Sequence, residues 1–298
     1  MNTILKTSGL TKVYAGKKVV SQVNMTVKQG DIYGFIGENG AGKTTLIRMV
    51  SGLAATSEGS IELFGSKSLN QHRKRIGTII EYPAVHVNLS AKENLAIYSR
   101  LLGVNDNKKI ENILEIIGLN DVGSKNVKKF SLGMKQRLGI GIALIGNPDF
   151  LMLDEPINGL DPSGIKEMRE LFQRLNREMG ITILISSHIL GELSKIATRY
   201  GIIKKGVLID EFKSEELYDR CKRSLKIRVD NPARAANILE TILGTKQFDV
   251  LENNYIRVFD MLDRPEIVNK ELVTNGVSVY SLQMAGQDLE DYFMNLMG

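Results

Sequence analysis

A chain of 298 residues with 43% hydrophobic content is long enough to fold as one large domain and one small one, each around its own core. It holds no run of about 18 apolar residues, and Met1 to Leu10 lacks the charged-then-apolar plan of a secretion signal, so the sequence predicts a chain that neither spans a membrane nor leaves the cytoplasm unaided. The net charge of +5 belongs to the N-terminal part, because residues 222–298 carry 9 Lys/Arg against 11 Asp/Glu; so diffuse an excess suits phosphate ligands and argues against nucleic acid, which needs a basic stripe or a reading motif.

In chain order, apolar alternation at Val23, Met25 and Val27 ends in Gln29-Gly30-Asp31 and predicts a strand closing on a turn. A strand over Ile32 to Ile36 follows, then a glycine-rich segment and a helix ending near Ser51-Gly52, where glycine takes the left-handed cap conformation. Arg75 to Ile80 predicts another strand. From Ser90 the pattern turns helical, opened by Ser90-x-x-Glu93, in which the serine caps the third amide and the glutamate reaches back. Gly103 and Gly118 punctuate this stretch, and a further helix runs from Ser131 to Gly146-Asn147-Pro148.

Phe150 to Leu153 is a continuous apolar run too short for a helix, hence a buried parallel strand. Asp161-Pro162 starts a helix with an N-cap carboxylate and a proline at the first position, Gly180 ends it, and a strand follows over Ile181 to Ser186. Strands alternating with helices predict a parallel sheet with covered faces, an inserted helical block at about residues 84–146, and ligands at the carboxyl ends of the strands. A hairpin over Tyr200 to Phe212, turning at Lys205-Gly206, and a short helix from Ser214 complete this part near residue 215. Residues 222–298 then read strand (Leu225 to Val229), helix (Pro232 to Leu243), two short strands near Phe248 and Tyr255, helix (Arg264 to Thr274), strand (Val277 to Leu282) and a final helix, a small α+β domain of ferredoxin-like order. The single cysteine, Cys221, forms no internal disulfide, and no Cys/His spacing suits zinc, in agreement with a reducing compartment.

Gly37-Glu38-Asn39-Gly40-Ala41-Gly42-Lys43-Thr44 matches G-x-x-x-x-G-K-[ST] and lies between a predicted strand and a predicted helix, the context that marks a phosphate-binding loop. The glycines let backbone N–H groups fold around a β-phosphate, the helix N-terminus adds positive potential, and Lys43 offers a mobile ammonium to the β and γ oxygens. The Thr44 hydroxyl is a candidate Mg²⁺ ligand, with Thr45 beside it on the same helix start. The apolar strand at 150–153 delivers Asp154 and Glu155 to its carboxyl end, where two adjacent acids are costly without a cation or a catalytic duty. In P-loop NTPases an aspartate so placed holds the metal's water shell, and a following glutamate can polarise the water that attacks the γ-phosphate. Asp161-Pro162-Ser163-Gly164 also fits the D-x-x-G of GTPases, but no Asn-Lys-x-Asp guanine-reading segment occurs anywhere.

These residues together resemble the ATP-binding cassette (ABC) family. The resemblance covers about residues 3–215 and includes Phe130-Ser131-Leu132-Gly133-Met134-Lys135-Gln136-Arg137 at the place of the L-S-G-G-Q signature. It continues through Asn158-Gly159-Leu160-Asp161, similar to the D-loop, and His188 in Ser186-Ser187-His188, similar to the switch histidine. Taken alone, Ser131 reads as a helix cap, Tyr14 as an edge-strand aromatic and His188 as an ordinary strand-end histidine. The resemblance implies ATP and Mg²⁺ as cofactors, a P-loop core of RecA-like parallel sheet with an antiparallel β part, and a head-to-tail homodimer. In that dimer Ser131 and Gly133 of one copy cover Lys43 of the other. It also implies adenine stacking on Tyr14, a γ-phosphate contact from His188, and Glu155 as the catalytic base.

The sequence departs from the family pattern at Leu132, where a glycine is usual, at Met134, where a glutamine is usual, and at Glu81, which stands where a metal-sensing glutamine is expected. A carboxylate at position 81 is still expected to reach Mg²⁺. The same departures, Ile79-Ile80-Glu81-x-Pro83 with the Phe130–Arg137 segment, resemble the branch of exporter ATPases that protects bacteria against bacitracin, lantibiotics and similar peptides. That branch pairs the cassette with a separate transmembrane permease, which implies a peripheral protein on the cytoplasmic side of the membrane. The rival reading is a soluble ABC ATPase acting on ribosomes or DNA; such proteins join two cassettes or insert long coiled coils, and this chain has one cassette.

Overall fold

The computed structural model describes residues 2–104, 106–216, 223–285 and 292. Cys221, most of the helix expected from Ser214 and the expected final helix lie outside the described residues. The chain divides into two compact units, one through Ser214 and the other from Glu215 onward.

The first unit is built on two sheets. The smaller is antiparallel and organised by β1 (Thr3–Tyr14), which pairs with β2 (Lys17–Val23), β3 (Thr26–Lys28) and β5 (Glu58–Leu63). The larger contains β4 (Ile32–Ile36), β6 (Ile76–Ile79), β7 (Phe150–Asp154), β8 (Thr182–Ser187), β9 (Arg199–Lys204) and β10 (Val207–Lys213) in the order β10-β9-β4-β8-β7-β6. Only the edge strand β10 runs antiparallel to its neighbour. Parallel strands buried on both faces need continuous apolar runs, and β4 and β7 are buried along their whole length.

Between the sheets lies α1 (Lys43–Ser51), whose Leu46, Ile47, Met49 and Val50 join Leu5, Leu10 and Val27 from one sheet and Phe35, Phe150 and Met152 from the other in a single core cluster. Tyr33 of β4 is wholly buried, and its hydroxyl donates to Glu211 Oε1 of β10 at 2.7 Å. Burial and the Glu211 charge push the Tyr33 phenol well above its ordinary range, so it stays a proton donor across the physiological range.

Beyond β5 come α2 (Leu69–Arg73), β6, and a helical block of α3 (Ala91–Leu101), α4 (Asn107–Ile116) and α5 (Leu132–Leu144). The Ser90/Glu93 capping box forms as the sequence predicts. Hydrogen bonds from the Ser90 amide and hydroxyl hold the Glu93 carboxyl below the usual glutamate range. After β7, α6 (Pro162–Arg177) and the short α7 (Leu190–Leu193) complete the α/β layering.

The second unit runs β11 (Ser224–Val229), α8 (Pro232–Thr241), β12 (Phe248–Leu251), β13 (Tyr255–Val258), α9 (Pro265–Thr274) and β14 (Val279–Ala285). Its strand order is β12-β13-β11-β14, with every neighbour antiparallel, over a core that includes Leu225, Ile227, Val229, Leu239, Ile256 and Val258.

Among the boundaries that differ from the sequence reading, two have a local hydrogen bond beside them. The Val23–Val27 alternation is not one strand: β2 stops at Val23, Gln22 takes φ +50, and the Asn24 side chain accepts from the Gly9 amide, so the chain crosses over and β3 pairs with the other end of β1. The last strand begins at Val279 because the Asp230 carboxylate takes the Ser278 amide at 3.0 Å.

Candidate nucleotide site

β4 ends at Ile36 and hands the chain to Gly37, where a Cβ would fall 2.5 Å from the Ile203 carbonyl of β9; only glycine admits so close a strand. Gly42, at φ +108, turns the backbone into α1. No side chain caps α1 and no acid sits in its first turn, so its leading amides face outward. Val19 from the antiparallel sheet and Glu155 from the end of β7 close a concavity over Glu38, Asn39, Gly40, Gly42, Lys43, Thr44 and Thr45. Gly37 and Ala41 lie beneath it: the Ala41 carbonyl accepts from Gly206 at 2.9 Å and ties the loop to the β9–β10 turn.

Lys43 is only 5% exposed, and its ammonium lies 2.5 Å from the Gly37 carbonyl, 3.1 Å from that of Glu38 and 3.1 Å from Glu155 Oε1. The other Glu155 oxygen, Oε2, stands 2.9 Å from His188 Nδ1. Glu155 itself takes φ +50, a left-handed conformation in which its amide donates to Ser186 Oγ at 2.9 Å and to the Ser186 carbonyl at 3.2 Å. Parallel pairing of β7 with β8 puts Ser186 opposite Asp154, and its hydroxyl donates to Asp154 Oδ1 at 2.5 Å. Asp154 Oδ2 accepts from Thr44 Oγ1 at 2.7 Å.

Asp154 is 2% exposed, holds two hydroxyl donors and has no cation partner among the described residues. A buried carboxylate left without a cation fits a divalent ion beside Thr44. Among the described residues no group of three or more His, Cys, Asp or Glu forms a metal cluster, and Mg²⁺ held by one carboxylate, one hydroxyl and phosphate oxygens needs none.

The remaining expected residues stand elsewhere. Glu81, expected at the metal, points its carboxylate at Arg48 instead, with Oε1 2.7 Å from the guanidinium. Tyr14 closes β1, 45% exposed, with Lys12 Nζ 4.7 Å from its ring centre. Ser131 Oγ caps α5 by accepting from Met134 N at 3.2 Å, which leaves its own proton free to donate. Asp161 Oδ1 caps α6 through Gly164 N at 3.0 Å. These two helix starts touch one another, for a Cβ on Gly159 would lie 3.3 Å from Leu132 and one on Gly133 would lie 3.7 Å from Leu160. None of Ser131, Gly133 and Asp161 lines the concavity of Lys43.

The family profile described as ABC transporter matches residues 20–158. The bacitracin transport ATP-binding protein BcrA of Bacillus licheniformis is 45% identical over 301 residues, covering 100% of this chain and 98% of that protein. The chain belongs to the ABC transporter ATP-binding family. The lantibiotic transport ATP-binding protein SrtF of Streptococcus pyogenes is 44% identical over 208 residues, covering 70% of this chain and 90% of that protein. Among solved structures, cbiO1 from Clostridium perfringens, part of the ABC transporter complex cbiONQ, superposes with a TM-score of 0.67 at 27% identity over 74% of this chain and 92% of its own.

Within this unit, spacing pointed to the loop, Asp154 and Glu155 and family resemblance to His188, residues that the structure brings together, while Ser186 and Val19 were not named as site residues. Ser186 was in view as part of Ser186-Ser187-His188, but its role follows only from strand register. Val19 comes from the antiparallel sheet, with no motif of its own.

Proposed function

We propose that this chain binds and hydrolyses ATP as the motor subunit of a transporter that exports a peptide antibiotic such as bacitracin or a lantibiotic. In this reading residues 1–215 are the cassette and residues 222–298 a separate α+β domain. The family membership and the identity to bacitracin and lantibiotic transport subunits over most of their length support it. The single observation that carries the chemistry is Glu155, held at the strand end by the Ser186 hydroxyl and shared between Lys43 and His188.

The triphosphate lies on the α1 amides and draws Lys43 away from Glu155, which frees one carboxylate oxygen to take a proton from the attacking water. His188 keeps the other oxygen oriented. Thr44 and Asp154 would hold Mg²⁺, with Glu81 approaching once it leaves Arg48; the bound metal supplies charge neutralisation on the phosphate oxygens. Tyr14 stacks on the purine.

Two copies associate head to tail, so that the free Ser131 proton and the bare backbone of Gly133 meet the γ-phosphate on the Lys43 loop of the other copy. Gly133 supports this, because its own chain leaves room for a side chain there, and the glycine then answers to something outside the chain. Among the described residues no helix is long and apolar enough to cross a membrane. In keeping with the chain's likeness to transport ATP-binding proteins, a separate permease chain carries the transported molecule, and the cassette works against its cytoplasmic side. ATP closes the pair, hydrolysis reopens it, and the permease follows by differential affinity for the two states.

The test is Glu155→Gln in the full chain with its permease. Turnover falls by about a hundredfold or more, the usual contribution of a general base, while ATP binding persists and copies accumulate as a dimer. Unchanged steady-state phosphate release would remove Glu155 from this role.

A further inference from the structure

Glu81 leaves β6 at φ +63, a left-handed conformation that its side chain does not favour. Its carboxylate is engaged by Arg48, and both side chains remain substantially exposed, 56% and 42%. Arg48 stands four residues after Thr44 on α1, so the two share one helix face. Thr44 reaches Asp154 at the end of β7, and Arg48 reaches Glu81 beyond the end of the adjacent β6, whose pairing with β7 runs up to Ile79 and Leu153. One face of α1 thus grips the ends of two neighbouring strands. Two residues on, Pro83 seats against α5, where a Cβ on Gly139 would fall 2.5 Å from the Pro83 Cβ. The segment Glu81-Tyr82-Pro83 therefore touches the phosphate-loop helix at one end and the Ser131-capped helix at the other.

We propose that Arg48 is a positioning residue that competes with Mg²⁺ for the Glu81 carboxylate, and so sets how much metal the cassette needs before the 81–83 segment shifts. The inference rests on the reading above, in which Glu81 turns to the metal when nucleotide is bound. An exposed guanidinium pair holds a carboxylate only weakly. A divalent ion beside a triphosphate therefore displaces it, and the guanidinium raises the metal concentration at which that happens.

The sequence contains no tryptophan, and Tyr82 is 81% exposed, so Tyr82→Trp places a unique fluorophore next to Glu81. Emission from the full chain is followed at fixed ATP while free Mg²⁺ is varied, and ATP binding is measured separately by equilibrium dialysis. In this reporter chain Arg48→Met lowers the Mg²⁺ midpoint by about two- to fivefold, the range that an exposed ion pair supplies. Once Glu81→Gln is present, Arg48→Met produces no further shift. A midpoint that stays put or rises on Arg48→Met, or a shift that survives Glu81→Gln, overturns the proposal while leaving the ATPase reading in place. Failure of the reporter chain to bind ATP defeats both.

Discussion

The concavity around Lys43 and the paired helix starts at Ser131 and Asp161 are built in opposite ways. At the first, α1 opens on uncapped amides, and the polar side chains bond across elements, Thr44 to Asp154, Ser186 to Asp154 and Lys43 to Glu155. At the second, each cap bonds only its own helix, and a Cβ on Gly133 would meet Leu160 at 3.7 Å, an ordinary contact. Gly133 has no positive φ and no close neighbour that would exclude a Cβ, so its own fold does not require glycine there, in keeping with the head-to-tail pairing proposed above. In the reading proposed above, the first region would hold the reacting groups and the second would meet the phosphate bound by another copy.

The contrast breaks most sharply at Lys43. Lys43→Ala removes charge-assisted bonds worth about 1.5–3 kcal/mol each, so ATP affinity falls by roughly ten- to hundredfold or more. Equal nucleotide titrations for variant and parent would refute the phosphate-loop assignment. On the other face, Gly133→Ala should act with opposite signs on fold and function. The substitution lies within α5, where alanine is favoured over glycine by about 0.5–1 kcal/mol, and its Cβ meets nothing closer than 3.7 Å. Thermal unfolding therefore shifts slightly upward, while ATP-dependent self-association is lost and turnover drops about tenfold. A variant that turns over as fast as the parent would mean that no phosphate approaches Gly133.

How much of this was legible in the sequence follows the same division. The loop at 37–44 and the acids at 154 and 155 announce themselves because their spacing is local: strand, turn and helix succeed one another within a few residues. Ser131 and Asp161 were legible as caps for the same reason. What stayed hidden depends on register between distant segments. β1 pairs with three strands through several register shifts, and its mixed burial shows no clean alternation, so it carried no strand signal and gave no hint that Val19 would border the site. Glu81 was placed by family position at the metal, yet Arg48, one turn along α1 from Thr44, takes its carboxylate. That pairing is visible only once β6 and β7 lie side by side.

Ser186 gives the smallest and most discriminating test, because it joins the two adjacent acids without lining the concavity around Lys43. Its hydroxyl donates to Asp154 and accepts from the Glu155 amide, so Ser186→Ala strands an oxygen of a buried carboxylate and leaves the Glu155 amide only the Ser186 carbonyl, at 3.2 Å. Leaving such an oxygen unsatisfied costs about 1–3 kcal/mol, read as a lowered denaturation midpoint of the full chain with its slope unchanged. Thr44 still holds the other Asp154 oxygen, so ATP binding persists. Glu155 loses one of the two contacts on its amide, and turnover falls several-fold with no change in nucleotide affinity. Ser186→Thr retains the hydroxyl and should restore most of the turnover. If it restores stability and turnover remains low, the hydroxyl is a prop for the fold alone and Glu155 owes its position to the β7–β8 backbone.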